Sequence, residues 1–310
     1  MSEPGVSFLT PVYNKAAHLE LVLAQIHRQA GDFPRQYVFV DDGSTDDSPA
    51  MLRDLTAGWD NVVIETQENR GSAAATNRCI ALADRAFIKF VDADDLIGDH
   101  ATGTLLRALQ DSPACLAYGK RRIYRDLAEI DLSAAPTQPK TTLLESPLRD
   151  AMKNSLFNPT QCLVRTETVR AVGGCDERIV HSQEYSLTLR LARRWPLLAV
   201  DAEVAFIPEE SKGRLSTNEA RQLQRVTRSL ANFLRDYPDT VPELRRFACR
   251  RAAGRAWRYF RRQRDGSVFS PEFRRYVLSR TPFARLDGAF IDACCAVFDD
   301  PAGLDPEPNT

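Results

Sequence analysis

The chain has 310 residues, 43% hydrophobic and 27% charged, a composition that suits a soluble enzyme with one large core and a smaller appendage and excludes general disorder. Basic and acidic side chains nearly cancel, to a formal charge of −1 at pH 7, but residues 244–285 hold thirteen arginines and two acids, a local +11 that leaves −12 for the remainder. No apolar run approaches the ~18 residues of a membrane span, and Met-Ser-Glu-Pro-Gly-Val lacks the basic and apolar regions of a secretory signal, so a cytoplasmic chain is expected. Seven cysteines without a CxxC pair favour reduced thiols over a disulfide framework or a zinc site.

In chain order, a strand near 6–11 leads to an amphipathic helix near 16–30, with Leu19, Val22, Leu23 and Ile26 at helical spacing. A second strand follows at 37–41. Helix, strand and helix recur near 48–57, 62–66 and 72–83, and a fourth strand occupies 87–91. This alternation predicts right-handed βαβ units and a mainly parallel sheet. A further strand is expected at 115–124, and Pro136, Pro139 and Pro147 punctuate a looser connection. Beyond about 217 the strand pattern gives way to helices near 217–235, 240–264, 271–279 and 286–298, which puts a domain boundary near 215.

Two apolar strands end in adjacent acids: Phe39-Val40-Asp41-Asp42-Gly43-Ser44 and Phe90-Val91-Asp92-Ala93-Asp94-Asp95. In a parallel sheet both tips, and that of Val6-Ser7-Phe8-Leu9-Thr10-Pro11, share the edge where open α/β sheets bind ligands. Acids gathered there repel one another unless a cation compensates. Carboxylate oxygens with no histidine or thiolate beside them suit Mg²⁺ or Mn²⁺, which keep open positions for phosphate oxygens. The structural alternative is helix capping, by Ser44, Thr45 or Asp46 for the helix near 48 and by Asp95 or Asp99 for the one near 100. Capping accounts for one acid per helix, not for two clusters behind buried strands.

Thr10-Pro11-Val12-Tyr13-Asn14, Val40-Asp41-Asp42-Gly43-Ser44-Thr45-Asp46, Asn69-Arg70-Gly71 with Asn77, and Asp92-Ala93-Asp94-Asp95 stand in the order and spacing of the family 2 glycosyltransferases, and the chain resembles that family over about residues 5–215. The resemblance implies a GT-A fold, a nucleotide-sugar donor with a UDP-sugar first in line, and an inverting transfer to a saccharide or lipid-linked acceptor in polysaccharide biosynthesis. It implies a catalytic domain at 1–215, with a donor half at about 1–125 and an acceptor half at about 126–215, followed by a helical extension at 216–310. By analogy Thr10, Pro11 and Tyr13 border the base and ribose, an aspartate of the Asp41-Asp42 pair binds the base, and Arg70 and Asn77 lie toward the donor. Asp92, Ala93 and Asp94 match the DxD motif, with Asp94 as metal ligand and Asp92 facing the metal, ribose or sugar.

An inverting transfer needs a base to take the acceptor proton. Gly173-Gly174-Cys175-Asp176-Glu177 resembles the family's Gly-Gly-aromatic-Asp-Glu turn, and Glu184, in the helix after it, aligns with the family's catalytic acid, usually the aspartate of a Glu-Asp pair. Gln183 replaces the glutamate, and Glu184 is one methylene longer than aspartate. The alternative for Glu184 is a surface acid paired with Arg190 or Arg193. Thr76, Cys79 and Arg85 also depart from the family pattern, and Phe206-Ile207-Pro208-Glu209-Glu210-Ser211-Lys212 lacks the family's histidine, leaving Glu209 or Glu210 as an optional metal contact. Of the histidines, only His181 adjoins this region. Asn158-Pro159-Thr160-Gln161 is placed beside the acceptor pocket, and Trp59 and Trp195 in packing.

Arg251, Arg255, Arg258 and Arg262 form one helical stripe opposite Leu244, Ala248, Ala252, Ala256 and Phe260. Its readings are a solvated or internally docked face, or contact with anionic membrane lipid through 244–285. Nucleic acid is not expected, since no recognition motif accompanies the charge. Another class, a noncatalytic nucleotide- or sugar-binding module on the same fold, stays open at this point. A sugar nucleotidyltransferase is disfavoured, because Tyr13-Asn14-Lys15-Ala16 is not a glycine-rich basic loop.

Overall fold

The computed structural model describes residues 3–179, 183–209, 219–264, 266–282 and 284–299. By its contacts the chain forms two units, one of Met1–Pro147 with Leu156–Gly213, the other of Leu148–Ser155 with Arg214–Thr310.

The first unit is built on a nine-stranded sheet. Strands β1 (Glu3–Val12), β2 (Arg35–Asp41), β3 (Val62–Thr66) and β4 (Arg85–Phe90) lie in the order β3-β2-β1-β4, all parallel. Helices α1 (Ala16–His27), α2 (Ser48–Leu55) and α3 (Ser72–Leu82) make the crossovers. The β-branched and aromatic content of the strands suits this doubly covered setting. On one face Phe8, Val12 and Phe39 pack with Leu19, Val22, Leu23 and Ile26 of α1 and Leu52 of α2. Trp59 closes that layer, 4.9 Å from the Tyr37 ring and stacked at 4.3 Å on His27, so both residues serve packing.

Beyond β4 the sheet is mixed, which the alternation of elements did not foretell. Strands β5 (Leu96–Ile97), β6 (Leu116–Tyr124), β7 (Thr141–Leu144), β8 (Cys162–Arg165) and β9 (Leu197–Pro208) complete it. β8 runs antiparallel to β4 and β6, β9 runs parallel to β6, and β5 and β7 pair antiparallel with β9. Helix α4 (Ala101–Gln110) packs on β6 and β9, and α6 (Thr166–Ala171) and α7 (Gln183–Ala192) follow β8 in sequence. Val12, Asp41 and Thr66 stand in register, and Leu9 pairs with Phe90. The acidic segments after β2 and β4 therefore leave the sheet at one edge.

The second unit is helical: α5 (Leu148–Lys153), α8 (Glu219–Asp236), α9 (Pro242–Gln263), α10 (Pro271–Leu278) and α11 (Gly288–Cys295). Ala220, Leu223, Tyr259 and Phe298 form its core, with the small buried residues Ala248, Ala252, Ala253 and Ala256 allowing close approach to α9. Two members of the arginine stripe are engaged within the unit, Arg255 buried and Arg251 half-buried. Arg255 donates to the carbonyls of Val226 and Lys153, while Arg251 donates to Lys153 O and Asn154 Oδ1. They satisfy carbonyls at the C-terminus of α5, where cations are favoured. Among the described residues no helix is long and apolar enough to cross a membrane.

Candidate functional site

The turn after β1 is fixed by the motif after β2. Asn14, in the left-handed region at φ 49°, donates its N–H to Ser44 Oγ at 2.9 Å and accepts from Thr45 N at 2.8 Å. Asp46 accepts from Ala16 N and Ser48 N, at 3.1 and 3.0 Å, the start of α1 and of α2. Burial works against its charge, yet these hydrogen bonds hold its pKa below the ordinary aspartate value. Asp46 thus ties down the first amide of each helix, although the residue at the α2 cap position is Asp47, whose side chain makes no capping bond. Gly43, at φ +73°, comes so close to the backbone of Asn69 that an added Cβ would lie 2.9 Å from its nitrogen.

The neighbouring acids divide their work, because successive strand residues face opposite sides of a sheet. Asp42 is buried, and both its oxygens are used inside the protein: Oδ1 accepts from Gln67 Nε2 at 2.7 Å and Arg70 N at 3.0 Å, Oδ2 from Gly71 N at 2.8 Å. It shapes the Asn69-Arg70-Gly71 loop at the N-terminus of α3, where negative charge is favoured. Asp41, fully buried, accepts at 3.3 Å from Ser44 N through Oδ1, and its Oδ2 has no hydrogen-bond partner. Thr10 Oγ1 and Thr76 Oγ1 are likewise buried and unpartnered. Tyr13 and Pro11 are half-buried at the end of β1.

The second acidic segment rests on a network centred on Thr160. The Asp92 N–H donates to Thr160 Oγ1 at 3.0 Å, and that hydroxyl donates to Asp95 Oδ2 at 2.9 Å. Ala93 is buried in the core cluster. Beneath the segment lies Lys89, fully buried, whose ammonium donates to Phe90 O at 3.0 Å and to Thr160 O. Burial pulls its pKa down to about 8, against the raising fields of Cys162, Asp92 and Asp95. The sequence reading passed over Lys89, although a charge within the run Ala86-Phe87-Ile88-Lys89-Phe90-Val91 was the signal. Asp94 carries a cation as well, since Lys15 Nζ lies 2.7 Å from its Oδ2 in a mostly buried ion pair. Charge compensation at this edge therefore comes from backbone amides at Asp42 and from ammonium groups at and below Asp94. Among the described residues, no group of three or more His, Cys, Asp or Glu side chains is arranged to hold a metal.

The glycine turn is pinned to α3. Asn77 Nδ2 donates to Cys175 O at 3.1 Å and Glu177 Oε1 at 2.8 Å, and its Oδ1 accepts from Cys175 N at 2.8 Å. Gly174, at φ +68°, passes so near that an added Cβ would lie 2.4 Å from Asn77 Oδ1. The exposed Arg70 guanidinium meets Glu177 Oε2 at 3.0 Å. Arg190 donates to Gly174 O and lies 4.0 Å from Asp176, which Arg178 also grips. Glu184, half-buried on the first turn of α7, opens onto a pocket that Asp92 also lines, together with Pro11, Thr76, Phe90, Phe157, Pro159, Cys162 and Cys175. Burial pushes the thiols of Cys162 and Cys175 up to about 12, so both act as apolar lining. Glu209 pairs with Arg125, whose hydrogen bond lowers its pKa. His181 and Glu210 lie outside the described residues.

The nine-stranded mixed sheet, with its acidic strand ends, defines the class as GT-A. Two solved structures share it: the S. aureus protein TarS in complex with UDP-GlcNAc, with TM-score 0.61 and 16% identity over 88% of this chain and 78% of that one, and the mannosyltransferase PcManGT of Pyrobaculum calidifontis in complex with GDP-Man and Mn²⁺, with TM-score 0.59 and 18% identity over 95% and 86%. At such identities the likeness is one of fold. The glycosyltransferase GlyG of Streptococcus pneumoniae is 31% identical over 119 residues, 37% of this chain and 38% of that protein, so the chain spans well under half of this relative. The sequence profile of glycosyl transferase family 2 matches residues 7–169, more than half of the chain. The protein belongs to this family and is a glycosyltransferase.

Proposed function

We propose that the chain transfers a sugar from a nucleoside diphosphate donor, a UDP-sugar first, to a saccharide or lipid-linked acceptor hydroxyl with inversion at the anomeric carbon. The observation that carries this reading is that Asp92 and Glu184 line one and the same pocket at the C-terminal edge of the parallel strands. Asp41 reads the base: a buried carboxylate oxygen without a partner asks for a donor, and the imide N–H of uracil is one. Pro11 and Tyr13 border the nucleoside, and Asn77 and Arg70 hold the loops around it.

Glu184 accepts the proton of the acceptor hydroxyl as its oxygen attacks the anomeric carbon. The bond from that carbon to the diphosphate breaks on the opposite face, and the nucleoside diphosphate leaves with the electron pair. Asp92 and Asp94 would hold a divalent ion through their hard carboxylate oxygens, once Lys15 yields the Asp94 oxygen it occupies. Mg²⁺ or Mn²⁺ held by these carboxylates would supply positive charge for the departing diphosphate.

Glu184→Gln tests the assignment. The variant should keep its donor-induced rise in melting temperature and lose transfer by about a thousandfold. Undiminished transfer excludes Glu184 as the base. A thermal-shift panel of nucleotide sugars with Mn²⁺ identifies the donor.

A further inference from the structure

The helical unit displays an apolar surface that its own packing leaves uncovered. Phe269 is 89% exposed and Val268 54%, and Leu278 and Val277 at the end of α10 are 51% and 44% exposed. α10 turns Phe273 inward, 5.0 Å from the Trp257 ring of α9. Its outer side carries Pro271, Arg274, Val277 and Leu278, which are exposed and spaced by three, four and seven residues. Ser270 caps the helix by accepting from Phe273 N at 3.1 Å, which makes Phe269 the residue before the cap. A hydrophobic residue there usually packs against the fourth helical residue. Here that residue is Arg274, so the Phe269 ring has no staple partner and points to solvent.

We propose that Val268, Phe269 and the outer side of α10 insert into the interface of an anionic lipid bilayer. The occupant follows from charge. The face lies within the stretch of thirteen arginines and two acids, and Arg258, Arg261 and Arg274 are exposed within it. A second copy presenting the same charge would be repelled, whereas anionic headgroups complement it, at about fivefold in partitioning per arginine near the surface. Arg251 and Arg255, which bond carbonyls within the unit, take no part. The aromatic and aliphatic side chains enter the acyl boundary while the guanidinium groups stay with the phosphates. This inference stands on the helical unit alone and does not depend on the proposed donor or base.

Flotation of the full chain with vesicles tests it, using phosphatidylcholine alone and phosphatidylcholine with one third phosphatidylglycerol. The chain is expected to float with the anionic vesicles only, and less so as salt is raised. Phe269→Ser with Leu278→Ser should weaken that binding about tenfold, and Arg274→Glu should weaken it by a comparable factor, while melting temperature and donor-induced stabilisation match the parent protein. Absence of a phosphatidylglycerol preference, or a serine variant that floats like the parent, overturns the proposal. So does sedimentation velocity showing a dimer that the serine variant dissolves, which would make the face a contact between copies.

Discussion

Replacing Lys15 by methionine keeps most of the side-chain volume and removes the charge seated on Asp94. The pair is short, at 2.7 Å, and its side chains are only 21% and 10% exposed. With an effective dielectric of about 20 the bare attraction is about 6 kcal/mol. Desolvation offsets most of it, leaving the roughly 1.5–3 kcal/mol typical of a hydrogen bond to a charged group. A divalent ion reaching Asp94 must displace the ammonium or share the carboxylate with it, so the wild-type chain should bind metal about tenfold more weakly than its bare carboxylates would. Titration of Mn²⁺ without nucleotide, followed by the paramagnetic resonance of the free ion, should show Lys15→Met binding about tenfold more tightly. Adding UDP should narrow the gap, because the diphosphate gives Lys15 another partner. Equal or weaker Mn²⁺ binding by a normally folded Lys15→Met would refute the reasoning.

Asp41 and Asp42 should separate cleanly. Asp42→Ala strands the N–H groups of Arg70 and Gly71 and should cost about 3 kcal/mol in urea unfolding, whereas Asp41→Ala loses one long hydrogen bond and should leave stability nearly intact while lowering donor affinity about tenfold or more, read by calorimetry. Lys89 has a folded-state pKa of about 8, below its ordinary 10.5, so between these values the unfolded chain binds more protons and stability contributed through Lys89 rises with pH. The unfolding free energy of the wild type minus that of Lys89→Met should therefore climb by at most about 1.4 kcal/mol per pH unit from pH 8 to 10 and stay flat below pH 7; a flat difference throughout would mean that Lys89 titrates normally.

The parallel half of the fold was legible because β1 to β4 are continuous apolar runs separated by amphipathic helices. β8 and β5 escaped notice because four and two residues are too few to show a period. β9 was hidden differently: Asp201 and Glu203 alternate with buried Val200, Ala202 and Val204, a half-exposed pattern that reads as polar unless the period of two is counted. The six residues of α5 follow Pro147 and are held by α9, a long-range support that local sequence does not display. Within the site, the acids were conspicuous but their partners were not. That Asp42 would be satisfied by backbone amides, and Asp94 by Lys15, depends on loops brought together across 28 and 79 positions of sequence.

Asn77 grips residue 175 solely through its main-chain N–H and carbonyl. The turn is consequently indifferent to what side chain stands there, and a thiol can occupy a position where the family pattern has a ring. Cys175 is smaller than any aromatic residue and borders the same pocket as Glu184, itself longer than the usual aspartate. A shorter side chain at 175 and a longer one at 184 thus face the same cavity, so the two positions belong to one wall and are best varied together.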